Sequence, residues 1–315
     1  MSTKIETKDL KKYFSTPAGM LHAVDGISFR IEEKQTLGVV GESGCGKSTL
    51  GRTVIKLHEH TDGEIFFDGE NVTNLSREQL KMLRWKMQMV FQDPYSSVNP
   101  RMTVSQIIAE PLLIAKQMSK NEIKDRVATL METVGLDQRY TLTYPHELDG
   151  GRRQRISIAR ALALNPSFIV CDEPVSALDV SIQAQILNLL KDIQDKFGTT
   201  YMFISHNLAV VKYISHEIMV MYLGVSVEQA STEEMFSNPL HPYTKALLSA
   251  VPVADIHYVK KEIPIKGELT SPINPPAGCR FAPRCCYATE RCFAETPPRV
   301  EAAEGHYVAC HLYSK

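Results

Sequence analysis

Apolar and polar positions alternate along the chain with two distinct periods. Lys4 to Thr7 and Gly26 to Ile31 read as strands on either side of a loop that contains Pro17 and Gly19. Thr36-Leu37-Gly38-Val39-Val40 reads as a short buried strand and runs directly into a glycine-rich loop and a helix. Glu64 to Phe67 predicts another strand, ended by the Asp68-Gly69 turn. From Thr103 to Gly135 the period becomes helical, with Ile123, Val127, Leu130, Met131 and Val134 on one face and Gly135 at the place of a C-cap. A helix is expected from about Arg152 to Leu164, stopped by Asn165-Pro166, and then a buried strand from Phe168 to Cys171. Ser181 to Phe197 reads as an amphipathic helix closed by Gly198, and Thr200 to Ser205 as a further strand. Strands alternating with helices predict a mainly parallel sheet covered on both faces. Beyond about Phe236 proline becomes frequent and the periodicity fades, so Asn238 through Pro276 reads as an extended connector.

Composition narrows this picture. A chain of 315 residues suits one large domain with an appendage, or two modest ones. Lys and Arg number 35 against 36 Asp and Glu, a formal charge of -1, so no basic field recruits nucleic acid, which is not expected as a partner. With 43% hydrophobic and 23% charged residues the chain can bury an ordinary core. No apolar run approaches the roughly 20 residues of a membrane span, and the first residues carry no apolar stretch of the secretory kind, so a cytosolic location is expected. Of seven cysteines, Cys45 and Cys171 are isolated, while Cys279, Cys285, Cys286, Cys292 and Cys310 cluster near the end. In a reducing compartment that clustering reads as metal ligation before disulfides.

Two motifs carry chemistry. Gly41-Glu42-Ser43-Gly44-Cys45-Gly46-Lys47-Ser48 fits the phosphate-loop pattern G-x-x-x-x-G-K-[ST] in full. Its glycines let successive backbone N–H groups, from Gly41 through Ser43, Gly44, Cys45 and Gly46 to Thr49, curl round phosphate oxygens. Lys47 would reach the terminal phosphates and Ser48 would offer a hydroxyl to Mg²⁺. Cys45 fills a variable position and is not read as a redox residue. Downstream, Phe168-Ile169-Val170-Cys171-Asp172-Glu173 places two acids at the end of an apolar strand. Asp172 suits a magnesium shell, and Glu173 suits orientation or deprotonation of an attacking water.

Further motifs, in order, carry a family resemblance. Leu148-Asp149-Gly150-Gly151-Arg152 resembles the LSGGQ signature loop of ABC transporter ATPases and lies upstream of Asp172-Glu173 as it does there. Gln92, in Val90-Phe91-Gln92-Asp93-Pro94, resembles the Q-loop glutamine, Ser176-Ala177-Leu178-Asp179 the D-loop, His206 the switch histidine and Tyr13 the aromatic that stacks on adenine. Asn238-Pro239-Leu240-His241-Pro242-Tyr243-Thr244 and Gly278-Cys279-Arg280-Phe281, with the later cysteines, resemble the C-terminal extension of oligopeptide and dipeptide importer subunits.

The resemblance implies an α/β P-loop NTPase fold: a RecA-like core of the ABC type with an antiparallel β subdomain, a helical subdomain over about 95–150 and a cysteine-rich C-terminal extension. The ATP-binding domain would span 1–235 and the extension 236–315. The resemblance further implies ATP hydrolysis, with Glu173, His206 and Gln92 as catalytic residues. Ser48, Gln92 and Asp172 would serve Mg²⁺, and Asp149, Gly150 and Gly151 a nucleotide held by a partner. The partners implied are a paralogous ATP-binding subunit, two integral membrane permeases and, indirectly, an extracytoplasmic peptide-binding protein. That places the chain at the cytoplasmic face of the cell membrane as a peripheral subunit. Nickel or sugar import, and a soluble ABC-type ATPase acting on nucleic acid or ribosome, stand as alternatives.

Two features stay open at this stage. Asp149 and Arg152 stand where the signature has Ser and Gln. A carboxylate about 4 Å from a partner's phosphate costs on the order of 4 kcal/mol at an effective dielectric near 20. An Asp is equally a good helix N-cap, and Arg152 or Arg153 would neutralise it. Cys279, Cys285, Cys292 and Cys310 leave Cys286 spare beside Cys285. The resemblance favours a four-iron four-sulfur cluster on those four, with zinc or plain reduced thiols as alternatives. In each case the proline-rich tail, without a periodic core, is expected to need a staple.

Overall fold

The strand, glycine loop and helix expected around residue 40 form as read, within a longer series of elements. The computed structural model of the chain describes residues 2–93, 95, 97–250, 263, 265, 267 and 271–314. From the N-terminus come β1 (Thr3–Thr16), β2 (Gly19–Glu32), β3 (Thr36–Val40), α1 (Lys47–Val54), β4 (Asp62–Phe67) and β5 (Glu70–Asn71). Next are α2 (Arg77–Lys86), β6 (Met87–Val90), α3 (Val104–Ala115), α4 (Lys120–Thr133), α5 (Gly150–Leu162), β7 (Phe168–Asp172) and α6 (Val180–Phe197). Then follow β8 (Thr200–Ile204), α7 (Leu208–Ile214), β9 (Glu217–Tyr222), β10 (Val225–Ser231), α8 (Thr232–Ser237) and α9 (Pro242–Ser249). The last are α10 (Glu290–Ala294), β11 (Arg299–Ala303) and β12 (His306–Ala309).

The chain divides into two compact units, one of Ile5–Ile31, Thr36–Thr73 and Ile204–Lys315, the other of Met1–Lys4, Glu32–Gln35 and Asn74–Phe203. In the first, the phosphate-loop unit, a four-stranded sheet has the order β2-β1-β4-β5, with β1 antiparallel to β4. Its other strands run β11-β12-β10-β9-β3. β3 pairs parallel with β9, in the register Val39↔Met219, and β10 pairs antiparallel with both β9 and β12. β3 is buried at all five positions, which fits a strand made of apolar and small residues.

The acid-strand unit holds α2 to α6 and the strand order β8-β7-β6, with β6 and β7 parallel. Its helices start at legible signals: capping boxes open α2 at Ser76/Gln79, α3 at Thr103/Gln106 and α4 at Ser119/Glu122. The single helical region read from Thr103 to Gly135 is therefore two helices, because the Ser119 box starts a new one.

Two readings of the tail need correction. The connector is not extended throughout: α9 lies inside it, with Pro242 at its first turn, the one helical position where proline costs nothing. Residues 251–262, 264, 266 and 268–270 of that connector lie outside the described residues, as does Pro94 of the Q-loop motif. Nor does the tail lack a core, since Phe281, Ala282, His306 and Val308 are all buried. β12 also extends the sheet at β10, in the register Glu228↔Val308.

Candidate functional site

The phosphate-loop unit presents the first half of the chemistry. β3 delivers the chain into the loop, and Gly46 closes it as the N-cap of α1, in the left-handed conformation with φ 104°. A Cβ at Gly46 would lie 1.9 Å from the Ala23 carbonyl oxygen, so only glycine fits. No side chain caps α1, and the positive end of its dipole favours an anion there. Lys47 is buried, and its Nζ donates to the carbonyls of Gly41 (2.8 Å) and Glu42 (2.9 Å), folded back over the loop. Ser43 and Gly44 form the exposed tip; Ser48 and Thr49 are half-buried in the first turn of α1. Burial pushes the Cys45 thiol up, in keeping with a packing role rather than a redox one. His206 is exposed, between β8 and the Asn207 cap of α7.

Tyr13 is held on both its ring and its hydroxyl. The ring stacks on His22, with centroids 4.0 Å apart and planes at 24°, and the hydroxyl donates to the Asp25 carboxylate. Burial first, then the carboxylate, pushes the phenol up to about 12. Asp25 also bonds His22 Nδ1 at 2.9 Å and pairs with Arg280. Burial raises its pKa, but the hydrogen bonds from Tyr13 and His22 and the charge of Arg280 outweigh that and hold it below the ordinary carboxylate value.

The acid-strand unit presents the second half. Asp172 is fully buried at the end of β7, and the next residue, Glu173, has φ 46°. A left-handed conformation in a non-glycine residue stores strain and turns Glu173 away from the direction of the strand. Its Oε2 accepts from Gln92 Nε2 at 3.1 Å, so two catalytic candidates 81 positions apart meet. Burial drives the Cys171 thiol far above its ordinary value, consistent with a core residue.

In the same unit Asp149 is the N-cap of α5 and accepts from the Arg152 N–H at 2.8 Å. It also pairs with the Arg152 guanidinium, which lies over the Tyr140 ring at 5.1 Å. Arg153 is committed elsewhere, to the Pro145 carbonyl (2.7 Å) and the Tyr95 ring (4.5 Å). Of the two arginines expected to neutralise Asp149, Arg152 does so. Gly150 opens α5, and Gly151 is packed so that a Cβ would reach 2.8 Å from Ile182 Cγ2.

The cysteine reading is corrected in part. Cys279, Cys285, Cys292 and Cys310 line one small cavity with His241 and Phe281, and Cys286 is exposed. Yet among the described residues no three or more His, Cys, Asp or Glu side chains stand close enough to hold one metal ion. A single zinc needs sulfurs at about 2.3 Å from one centre, and these thiols do not converge in that way. Burial pushes the thiols of Cys279, Cys285 and Cys310 up, the last to about 11.

Sequence reasoning missed the groups that seat the tail. Glu228, buried on β10, accepts from the N–H groups of Leu240 (2.7 Å) and His241 (2.8 Å) and bonds His306 Nε2 at 2.8 Å. Arg280 and Arg284 stand among the cysteines, where no local pattern marks them. Tyr243 donates no hydrogen to the loop; its hydroxyl oxygen accepts the Glu42 N–H at 2.9 Å.

A family described as ABC transporter matches residues 24–176, and one described as oligopeptide/dipeptide transporter, C-terminal region, matches residues 227–292. The oligopeptide transport ATP-binding protein AppF of Bacillus subtilis is 52% identical, over 99% of this chain and 98% of its own. The chain belongs to the ATP-binding subunits of oligopeptide/dipeptide ABC transporters. The dipeptide transport ATP-binding protein DppF of Haemophilus influenzae is 50% identical, over 96% of this chain and 94% of its own. A dimeric ATP-binding cassette solved in a post-hydrolysis state with ADP and Pi matches with a TM-score of 0.67 and 28% identity, over 72% of this chain and 98% of that one. As a member of this family the chain is an ABC-type transport ATPase. Among its described residues no helix is long and apolar enough to cross a membrane.

Proposed function

We propose that this subunit binds and hydrolyses MgATP to drive uptake of di- and oligopeptides. It works as a heterodimer with a paralogous ATP-binding subunit, docked on two integral membrane permeases at the cytoplasmic face of the cell membrane. An extracytoplasmic peptide-binding protein supplies the cargo. The ATP-binding domain is residues 1–235 and the extension 236–315. The observation that carries hydrolysis is the Gln92–Glu173 hydrogen bond beside the buried Asp172. Peptide cargo rests on the match of residues 227–292.

In this reading Tyr13 stacks on adenine, and the N–H groups of the loop from Gly41 to Thr49, with Lys47, hold the phosphates. Ser48, Gln92 and Asp172 hold Mg²⁺, which neutralises phosphate charge. Asp172 suits this role as a carboxylate fixed by burial at the end of β7, next to Glu173. Glu173 orients and deprotonates the attacking water; its strained backbone and its bond to Gln92 fix the carboxylate before substrate arrives. Gln92 reports the γ-phosphate, and His206 contacts it. Asp149, Gly150 and Gly151 face the nucleotide on the paralogous subunit, where the residual charge of Asp149 slows that second site.

The four cavity-lining cysteines hold a four-iron four-sulfur cluster in the same reading. A cluster spreads its thiolates over four irons, so it does not demand that the sulfurs converge on one point. The shared cavity and the exclusion of Cys286 support the ligand set.

The test is the complete transporter in proteoliposomes, with labelled peptide and its binding protein inside and MgATP outside, on this subunit's side. Peptide should leave the lumen only with hydrolysable ATP. Transport that proceeds equally with a non-hydrolysable analogue would overturn the reading.

A further inference from the structure

Seven residues of the tail, Cys279 to Cys285, lie against the nucleotide-binding elements of the same unit. Phe281 seats them: it is buried, with its ring 5.2 Å from Tyr222 and 5.4 Å from Tyr243. On one side of that anchor, Arg284 reaches the carboxylate of Glu42, the second residue of the phosphate loop, at 2.9 and 3.1 Å. On the other side, Arg280 pairs with Asp25, the acceptor of the Tyr13 hydroxyl, and donates to the Leu223 carbonyl. Both arginines are nearly buried, with side chains 11% and 10% exposed. Ion pairs so placed are weakly screened, and each fixes a geometry.

The backbone links the same points. The Gly224 N–H donates to the Cys45 carbonyl, and the Asp25 N–H donates to the Gly224 carbonyl, both at 2.8 Å. Tyr243, beside Phe281, accepts the N–H of Glu42. The loop that would cradle phosphate and the aromatic that would stack on adenine thus share one support, made by residues 222–224 together with Tyr243, Arg280, Phe281 and Arg284 of the C-terminal extension.

We propose that residues 279–285 clamp the nucleotide site of this chain, Arg284 and Arg280 acting as positioning residues that set its affinity for ATP. Arg284 orients Glu42 and cancels a carboxylate that would otherwise stand within an anion-binding loop. Arg280 orients Asp25 and through it Tyr13. The extension is thereby a control on the ATPase, since any change that unseats Phe281 withdraws both arginines together. This inference rests on residues 41–48 and Tyr13 being the ATP site.

The experiment measures binding of ATP and of inorganic tripolyphosphate to the full-length chain, with Lys47→Ala as the control for the site itself. Loss of both ligands in Lys47→Ala establishes the site; unchanged binding there refutes the site reading, and the clamp with it. Arg284→Met should weaken ATP and tripolyphosphate alike, by about tenfold, the scale of a hydrogen bond to a charged group. Arg284→Lys should recover most of that loss. In a Glu42→Gln background the Arg284→Met change should cost less than about threefold, because the carboxylate it neutralised is gone. Arg280→Met should weaken ATP and leave tripolyphosphate within about twofold, because it acts on the adenine side. Wild-type affinities in Arg284→Met and Arg280→Met would overturn the clamp. So would equal loss of both ligands in all variants together with a fall in melting temperature, which marks general unfolding of the tail.

Discussion

His241 shows how one buried side chain makes the fold sensitive to acid. It is 1% exposed, and burial, helped by the charge of Lys245, lowers its pKa from 6.5 to about 3. Its Nδ1 accepts the Tyr243 N–H at 3.1 Å and so caps α9 only while unprotonated. A histidine with a folded pKa below the unfolded one stabilises fully above about pH 6.5, and that contribution drains away as pH falls toward 3. Below pH 6.5 the loss approaches about 1.4 kcal/mol per pH unit. Melting temperature measured from about pH 7 to 5 should therefore fall. His241→Asn keeps a cap acceptor but removes the titrating ring, so its slope should be flatter. An identical slope in the variant would contradict the assignment.

Residues also mark the limit of what the sequence discloses. The loop from Gly41 to Ser48 was legible because its chemistry is contiguous, and Asp172 because it ends an unbroken apolar strand. Asp25 with Arg280, and Glu42 with Arg284, are separated by 255 and 242 positions. No local periodicity connects such pairs; only the tertiary seat of Phe281 does. Glu228 was hidden for a related reason: a buried carboxylate looks like a surface one until the N–H groups it serves are located.

At the scale of elements, α5 matters most, since it carries the substituted signature. Asp149 caps it, so Asp149→Ala should destabilise by about 1 kcal/mol, while Asp149→Ser, also a good cap, should cost only a few tenths. On the proposed reading, in which Asp149 faces the partner's nucleotide, Asp149→Ser should raise ATP turnover in the assembled transporter, because it removes that carboxylate. Arg152 already offsets part of that charge, so the gain is expected to be modest, about two- to fivefold. Lys47→Ala in this subunit should abolish transport, and the matching change in the paralogue should be milder. No gain from Asp149→Ser, or equal losses from the two lysine changes, would remove the asymmetry. Elements read from period alone were accurate where one face is apolar and a cap is near. The tail strands β11 and β12 are not legible because β11 is largely exposed and takes its place from β12, which in turn pairs with β10.

The molecule as a whole joins a cysteine-lined tail to the unit that carries the phosphate loop. Elemental analysis after anaerobic purification should find about four irons per chain, with broad absorbance near 400 nm from sulfur-to-iron charge transfer. Cys286→Ser should leave both unchanged, whereas Cys292→Ser should lose iron and admit protease to the tail. One zinc and no iron would refute the cluster, and full iron in Cys292→Ser would refute the ligand set.

The central claim is that this subunit itself hydrolyses ATP, with Glu173 acting on the water. Glu173→Gln keeps the size of the side chain and its capacity to bond Gln92 but cannot accept a proton. The decisive measurement is ATP binding alongside phosphate release by the assembled transporter carrying this substitution. Binding should stay within about twofold of the natural subunit, while phosphate release from this site falls by about a hundredfold or more. Phosphate release at the natural rate would contradict the account.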